Sequence, residues 1–219
     1  MIEPQELEVT GYRGLVVPCV RYDVDGASGI ALVLPGAARS GNRLGGTPAR
    51  PDLHFTRALL QHAGLAVLEA WWDAGSAPRD DLDAWIATNA DAVVDAATTR
   101  HAVRLLVGRS LGTRGLAALV AREPWTRTPA IWLAPLLGNA CVRDALSRAS
   151  SSYFVVGGSG DELFDVAFAE TLQASGVEVV VLEGADHGLA VDDPIESAQL
   201  LTHVLRRMRA FVERVVPDV

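Results

Sequence analysis

The sequence predicts an α/β protein whose central, mostly parallel sheet carries helices on both faces. Two observations lead to this fold class. Continuous apolar runs such as 29–34 and 65–71 show no polar alternation, which is typical of strands buried on both faces. From residue 29 onwards such runs alternate with helical segments, as in parallel sheets linked by crossover helices. The length of 219 residues suits a single domain, 1–219, with a sizeable core.

The strands are located by apolar runs and by the glycines between them. Residues 7–9 and 15–22 meet around Gly11 and Gly14, which predicts an antiparallel hairpin at an edge of the sheet. The other predicted strands are apolar runs that end in turn or loop residues: 29–34, 65–71, 103–107, 130–134, 153–157 and 177–182.

The helices are located by their start signals and apolar spacing. Asp52 is predicted to cap a helix that runs to about residue 62 and ends at Gly64. A second helix begins after Asp80 or Asp81 and carries an apolar stripe at helical spacing. The stripe consists of Leu82, Trp85, Ile86, Val93 and Ala97. The remaining helices are predicted at 113–121, within 138–150, up to about residue 174, and from Pro194 onwards.

Composition argues against several functional classes. A net charge of −8 without a dense basic cluster argues against nucleic-acid binding. The first six residues lack the features of a secretion signal, and no apolar run reaches the length of a membrane span. Cys19 and Cys141 are too few for a disulfide framework and lack metal-ligand spacing. We therefore expect a cytoplasmic protein with reduced cysteines, no metal and no membrane partner.

The motif Gly-Arg-Ser-Leu-Gly at 108–112 lies between a predicted strand and a predicted helix. That context allows a serine to occupy a tight, strained turn, with glycines at 108 and 112 where larger side chains would collide with backbone. The N-terminus of the following helix favours negative charge beside the serine. Ser110 is therefore the candidate nucleophile.

Two ionisable residues follow the last two predicted strands. Asp161 comes after strand 153–157 in Gly-Ser-Gly-Asp, and His187 comes after strand 177–182 in Gly-Ala-Asp-His-Gly. Because sites in such sheets lie at the carboxyl ends of strands, Ser110, Asp161 and His187 should converge. These motifs in the order Ser, Asp, His resemble the α/β-hydrolase family across essentially the whole chain. The resemblance implies the α/β-hydrolase fold, with little or no cap because 138–150 can hold only one helix.

The chemistry of the three residue types assigns their roles. A serine hydroxyl is a poor nucleophile at neutral pH and needs a base such as histidine. The histidine in turn needs a carboxylate that holds its tautomer. Ser110 is accordingly the nucleophile, His187 the general base and then acid, and Asp161 the orienting acid.

The family pattern also implies an oxyanion hole formed by two backbone N–H groups. One comes from the residue after the nucleophile, Leu111, and the other from the loop after the third strand, where we choose Ala37. Many family members have His-Gly where this chain has Pro35-Gly36. The donor is a main-chain N–H, so this difference does not argue against the oxyanion hole. It leaves the subfamily open.

Other residues have both a structural and a functional interpretation. Glu162 and Asp165 compete with Asp161 as the acid, but a place in the first turn of a helix suits them better. Trp71 and Trp72 either line a substrate pocket or pack in the core, and Arg39 and Arg43 either contact an acidic substrate or lie on a solvated loop. Several further residues are expected to have structural roles. Arg109 either tethers a loop or faces away from the site, Asp186 is a loop hydrogen-bonding group, and Asp192 or Asp193 caps a helix. The remaining histidines are expected at the surface: His54, His62, His101 and His203.

The expected function is hydrolysis of a carboxylic ester or related acyl bond of a small substrate through an acyl-enzyme. No metal or organic cofactor is implied. The size and residue order resemble the dienelactone-hydrolase-like branch, but that branch typically uses cysteine as its nucleophile, so its substrate is not carried over. Two alternatives stay open: thioester, lactone or peptide cleavage on the same triad, and a non-catalytic binding or scaffold protein that retains the fold.

Overall fold

Strands and helices alternate along most of the chain. The computed structural model describes residues 3–37, 50–72, 77–78, 80–148 and 152–216. Within these ranges the strands are β1 (Gln5–Thr10), β2 (Val16–Tyr22), β3 (Gly29–Leu34), β4 (Leu65–Ala70), β5 (Val103–Arg109), β6 (Ala130–Leu133), β7 (Tyr153–Gly158) and β8 (Glu178–Leu182). The helices are α1 (Pro51–His62), α2 (Leu82–Thr98), α3 (Gly112–Val120), α4 (Ala140–Ser147), α5 (Val166–Ala174) and α6 (Pro194–Val215).

All of these strands belong to one sheet in the order β1-β2-β4-β3-β5-β6-β7-β8. β1 pairs antiparallel with β2, and β2 antiparallel with β4, while the pairs from β4 to β8 are parallel. The predicted fold class and the edge hairpin are therefore confirmed. Because β3 lies between β4 and β5, the loop after β3 leaves the sheet next to the turn after β5.

Two layers of helices cover the sheet. One core cluster packs α2, α3, α4 and α5 against one face, and a second packs α1 and α6 against the other. Every residue of β3 and β4 is buried, which explains why these strands read as continuous apolar runs. Side chains alternate between the two faces along each strand, so Leu106 of β5 joins the first cluster whereas Leu105 and Val107 join the second.

Two helix starts differ from the sequence-based expectation. Arg50 occupies the N-cap position of α1, and Asp52 lies in its first turn, so the prediction that Asp52 caps this helix is wrong. Helix α5 starts only at Val166, because Asp161 and the residues after it form a hydrogen-bonded turn first. At the C-terminal helix the expectation is confirmed: the Asp193 carboxylate accepts hydrogen bonds from the backbone N–H groups of Ile195 and Glu196.

The connection between β6 and β7 is short. In the part of it that the structure describes, α4 is the only helix. Cys19 is buried and Cys141 is exposed, and both are free thiols. No helix in the described ranges combines the length and apolar character needed to cross a membrane.

Candidate active site

Ser110 lies on a sharp turn between β5 and α3. Its φ of 49° falls in the left-handed region that residues other than glycine rarely adopt. Hydrogen bonds from the backbone and from a side chain hold this turn. The backbone N–H of Ser110 donates to the carbonyl oxygen of Leu133 at 2.9 Å, and the hydroxyl of Thr113 donates to the carbonyl oxygen of Ser110 at 2.5 Å. Ser110 is thereby fixed at the carboxyl edge of the sheet.

The two glycines of the motif are required by close packing. A methyl group on Gly112 would lie 2.1 Å from the carbonyl oxygen of Leu34, at the end of β3. A methyl group on Gly108 would lie 3.0 Å from both the carbonyl oxygen of Gly112 and the side chain of Leu116. The absence of a side chain at Gly112 therefore lets α3 start directly against β3, and its absence at Gly108 lets α3 pack closely on β5.

Asp161 follows β7 in a glycine-rich turn that packs against the loop after β8. The backbone N–H of Gly160 donates to the carbonyl oxygen of Ala185 at 3.0 Å, and a methyl group on Gly158 would lie 2.0 Å from that same oxygen. Asp161 is only 5% exposed, and its Oδ1 accepts a hydrogen bond from the backbone N–H of Leu163 at 2.9 Å. This turn leaves the other carboxylate oxygen, Oδ2, free for a second partner.

His187 joins the acid to the serine. Its Nδ1 lies 2.7 Å from Oδ2 of Asp161, and its Nε2 lies 2.7 Å from Oγ of Ser110. An ionised carboxylate can only accept a hydrogen bond, so the proton of a neutral imidazole resides on Nδ1. Nε2 then presents a lone pair to the serine hydroxyl, within the distance needed for proton transfer. The structure thus brings together the three residues that the sequence proposed as a triad.

The competing acids occupy other positions. Asp165 is the N-cap of α5, where its carboxylate accepts from the backbone N–H of Phe168 at 3.0 Å and from Arg143 at 2.8 Å. The hydrogen bond from the Arg143 guanidinium, together with that from the backbone, lowers the pKa of Asp165 below its ordinary value. Glu162 is exposed. Asp161 is therefore the acid that faces His187.

The residues chosen for the oxyanion hole flank the serine. A methyl group on Gly36 would lie 3.1 Å from Cβ of Ser110, so the residue before Ala37 is in contact with the serine side chain. Leu111 precedes the first residue of α3. Among the described residues, neither Ala37 nor Leu111 donates its backbone N–H to another group. Their role in binding an oxyanion stays a prediction.

Arg109 connects the serine turn to the histidine loop, as the loop tether expected from the sequence. Its Nε donates to Oδ2 of Asp52 at 2.6 Å, and its Nη2 donates to the carbonyl oxygen of His187 at 2.9 Å. Sequence reasoning missed Asp52 as its partner. Strand alternation could have placed the Arg109 side chain on the face of α1 and α6, but no local pattern identifies an acid 57 positions away.

The candidate substrate-binding residues lie in different places. Trp72 is 4% exposed and packs against Trp85 of α2, with 5.8 Å between ring centroids, which supports the core-packing interpretation. Trp71 lines a surface groove beside β1 and β2 at the edge of the sheet. Arg39 and Arg43 lie outside the described residues, so their role stays a prediction.

Two of the other histidines are surface residues, as expected from the sequence. His54 and His203 are exposed on α1 and α6. Within the described ranges, no group of three or more His, Cys, Asp or Glu side chains is arranged to hold a metal ion.

The sequence and the structure were each compared with those of known proteins. No protein-family model and no curated protein matches the sequence significantly. Solved structures do match over nearly the whole chain. An α/β serine hydrolase homologue from Coxiella burnetii matches with a TM-score of 0.71 and 17% identity, covering 93% of this chain and 96% of its own. A lidless α/β serine hydrolase from Xanthomonas campestris matches with a TM-score of 0.66 and 18% identity, covering 94% and 95%.

A dienelactone hydrolase from Anabaena variabilis also matches, with a TM-score of 0.67, 18% identity, and 97% and 98% coverage. The chain has the α/β-hydrolase fold. In this fold the loops after strands β5, β7 and β8 meet at one edge of the sheet, which is where Ser110, Asp161 and His187 lie. At 17–18% sequence identity the similarity to these structures establishes the fold, while the reaction depends on the residues of the site.

Proposed function

We propose that this protein is a serine hydrolase that cleaves a carboxylic ester or related acyl bond of a small substrate through an acyl-enzyme. The observation that carries this proposal is the continuous pair of 2.7 Å contacts, from Ser110 Oγ to His187 Nε2 and from His187 Nδ1 to Asp161 Oδ2. A positioned base next to a hydroxyl on a strained turn is the arrangement that nucleophilic catalysis requires. The α/β-hydrolase fold supports hydrolase chemistry in general.

In the first half-reaction, Oγ of Ser110 attacks the carbonyl carbon of the ester while Nε2 of His187 takes the hydroxyl proton. The carbonyl π electrons move to the oxygen, which binds the backbone N–H groups of Leu111 and Ala37 as an oxyanion. The intermediate collapses by breaking the bond to the leaving alcohol, which receives the proton from His187. The serine is left acylated.

In the second half-reaction, water replaces the alcohol. His187 takes a proton from the water as its oxygen attacks the acyl carbon, and the resulting intermediate breaks its bond to Ser110. The proton returns from His187 to the serine oxygen, and the carboxylic acid leaves. Throughout both steps Asp161 holds the Nδ1 proton and stabilises the imidazolium.

The substrate is expected to be small and accessible from solvent. Helix α4, the only helix in the described part of the β6–β7 connection, spans just eight residues. A connection of this length cannot fold into a separate lid. The same triad can act on thioesters, lactones and peptides, so a substrate panel has to include these bonds as well as esters of increasing acyl length.

The proposal is tested with a fluorophosphonate probe, which reacts far faster with an activated serine than with an ordinary one. We expect stoichiometric labelling of the wild-type protein, located at Ser110 by intact mass and peptide mapping. Labelling should be absent in Ser110→Ala and His187→Ala. It should weaken on acidification, because a protonated imidazole cannot accept the hydroxyl proton.

Surface histidines provide the matched controls. His54→Ala and His203→Ala remove exposed imidazoles on α1 and α6 and should label like wild type. If the folded wild-type protein resists the probe at pH 8, the serine is not activated, and the non-catalytic binding or scaffold alternative becomes the better account.

A further inference from the structure

A buried charged cluster lies behind the candidate triad, on the α1 and α6 side of the sheet. Arg109 is 2% exposed and Asp52 is 6% exposed. The guanidinium of Arg109 bridges Oδ2 of Asp52, at 2.6 Å, and the carbonyl oxygen of His187, at 2.9 Å. One end of this cluster is thus anchored on α1 and the other on the backbone of the histidine.

A second guanidinium extends the cluster. Nε of Arg50 donates to Oδ1 of Asp52 at 3.4 Å, and its Nη2 donates to the carbonyl oxygen of Gly188 at 3.2 Å. Two consecutive carbonyl groups of the histidine loop therefore accept hydrogen bonds from two arginines that share one carboxylate. We call Arg50, Asp52 and Arg109 the charged bracket.

The histidine loop borders a cavity on this side. Gly188, Leu189 and Ala190 line a largely apolar cavity of about 400 Å³ between α1 and α6, which Arg50 and Asp52 also border. Leu189 is buried in the apolar core, whereas Gly188 and Ala190 are only partly buried. Directional hydrogen bonds from the charged bracket supply a constraint that packing does not.

Folding stability alone is a poor explanation of the charged bracket. Burying two charges carries a desolvation cost, and apolar residues of similar volume often stabilise a fold as well as or better than a buried ion pair. What apolar residues cannot do is donate hydrogen bonds to the carbonyl groups of His187 and Gly188. The distinctive contribution of the charged bracket is therefore geometric.

We propose that Arg109 and Asp52, assisted by Arg50, are positioning residues that set where the His187 imidazole stands relative to Ser110. This inference rests on the proposed function, since the imidazole has to meet the serine for catalysis. An error of about 1 Å in the placement of a reacting group can cost about 100-fold in rate. The charged bracket acts through the backbone of His187 and does not touch the substrate.

The decisive experiment separates positioning from stability. The double variant Arg109→Met/Asp52→Leu replaces the ion pair by apolar side chains and is expected to keep a thermal midpoint at or above that of wild type. Its fluorophosphonate labelling should nevertheless be about 100-fold slower. On an ester substrate kcat should fall while KM stays within about threefold, because ground-state binding is unaffected.

A single variant gives an independent measurement. Arg109→Lys keeps the positive charge, but an ammonium group lacks the planar fork that reaches Asp52 and the His187 carbonyl together, so labelling should slow similarly. The matched control is Glu69→Gln, which changes the buried carboxyl group beside Arg57 of α1, at 3.3 Å. Arg57 also hydrogen-bonds to Tyr22 and His54, which lie outside the histidine loop, and the control should label like wild type at pH 6.

Wild-type labelling rates in the double variant, or in Arg109→Lys, would overturn the positioning role. A proton NMR readout keeps the test independent of catalysis. The downfield imidazole N–H resonance of His187, identified by its absence in His187→Ala, should be lost or broadened in both bracket variants and kept in Glu69→Gln. If the wild type resists the probe, the proposed function fails, and this resonance alone decides whether the bracket positions the imidazole.

Discussion

The contact between Gly112 and the end of β3 allows a direct test of how the nucleophile turn is built. In Gly112→Ala the added methyl group would lie 2.1 Å from the carbonyl oxygen and 2.6 Å from the carbonyl carbon of Leu34, and 2.7 Å from the carbonyl oxygen of Pro35. Real Cβ atoms essentially never approach other heavy atoms closer than 3.0 Å, so α3 and β3 must separate by about 1 Å. Backbone atoms on both sides prevent relief by a rotamer change.

The expected cost follows from that separation. Overpacking of this kind destabilises by about 3 kcal/mol, at the upper end of its usual range. For a protein of this size the loss lowers the thermal midpoint by roughly 6–12 °C. Because Leu111 and the Pro35–Ala37 segment lie on the two sides of the same contact, fluorophosphonate labelling should also slow by about 100-fold.

The assay pairs thermal unfolding with labelling kinetics at 25 °C. Gly138→Ala is the matched control, since a methyl group there meets no heavy atom within 4 Å, and its stability should stay within about 0.5 kcal/mol of wild type. If Gly112→Ala and Gly138→Ala unfold at the same temperature and label at the same rate, the close-approach reasoning is refuted.

Three further outcomes are expected. Asp161→Asn should lower kcat on the order of 10⁴-fold through loss of the correct imidazole tautomer. Asp165→Asn should keep both the rate and the helix cap, because asparagine caps a helix about as well as aspartate. The reverse pattern of rates would show that Asp165, and not Asp161, is the acid. Burial raises the pKa of Glu69 to about 7 against the opposing effect of Arg57, so the folded protein keeps a proton that the unfolded chain releases near pH 4.5. Wild-type stability should therefore fall as the pH rises, by about 2.5 kcal/mol between pH 5 and 8 through this group, and Glu69→Gln should remove that fall in denaturant titrations at the two pH values; an unchanged slope would contradict the buried-carboxyl argument. Short acyl esters should be hydrolysed best, without a rise in activity at a lipid–water interface, and a preference for emulsified long-chain esters would show that a lid exists.

Much of the fold and the three converging side chains could be predicted from the sequence because each depends on a local pattern. Strand β3 is buried on both faces of the sheet, and its uninterrupted apolar sequence is sufficient to predict this. The positions of Ser110, Asp161 and His187 follow from where strands end, since parallel strands bring their carboxyl ends to one edge.

The features that could not be predicted depend on contacts between distant segments. Asp52 has the appearance of a helix cap in the sequence, yet it is the buried partner of Arg109, and only the packing of α1 on the sheet brings them together. Helix α5 starts only after a turn in which the backbone N–H of Leu163 donates to the Asp161 carboxylate, whose other oxygen contacts His187 from a distant loop. Trp71 and Trp72 adjoin in sequence just after β4, yet Trp72 packs against Trp85 while Trp71 lines the groove beside β1 and β2.

The left-handed backbone of Ser110 lowers folding stability at the same residue that supplies the proposed nucleophile. A side chain held at a φ of 49° costs on the order of 1–3 kcal/mol, a strain that glycine would not feel. A thermostability screen run without an activity assay would therefore favour replacing the nucleophile itself. Directed evolution for heat resistance therefore has to be combined with selection for activity, because Ser110→Gly would relieve this strain and remove the hydroxyl on which the proposed reaction depends.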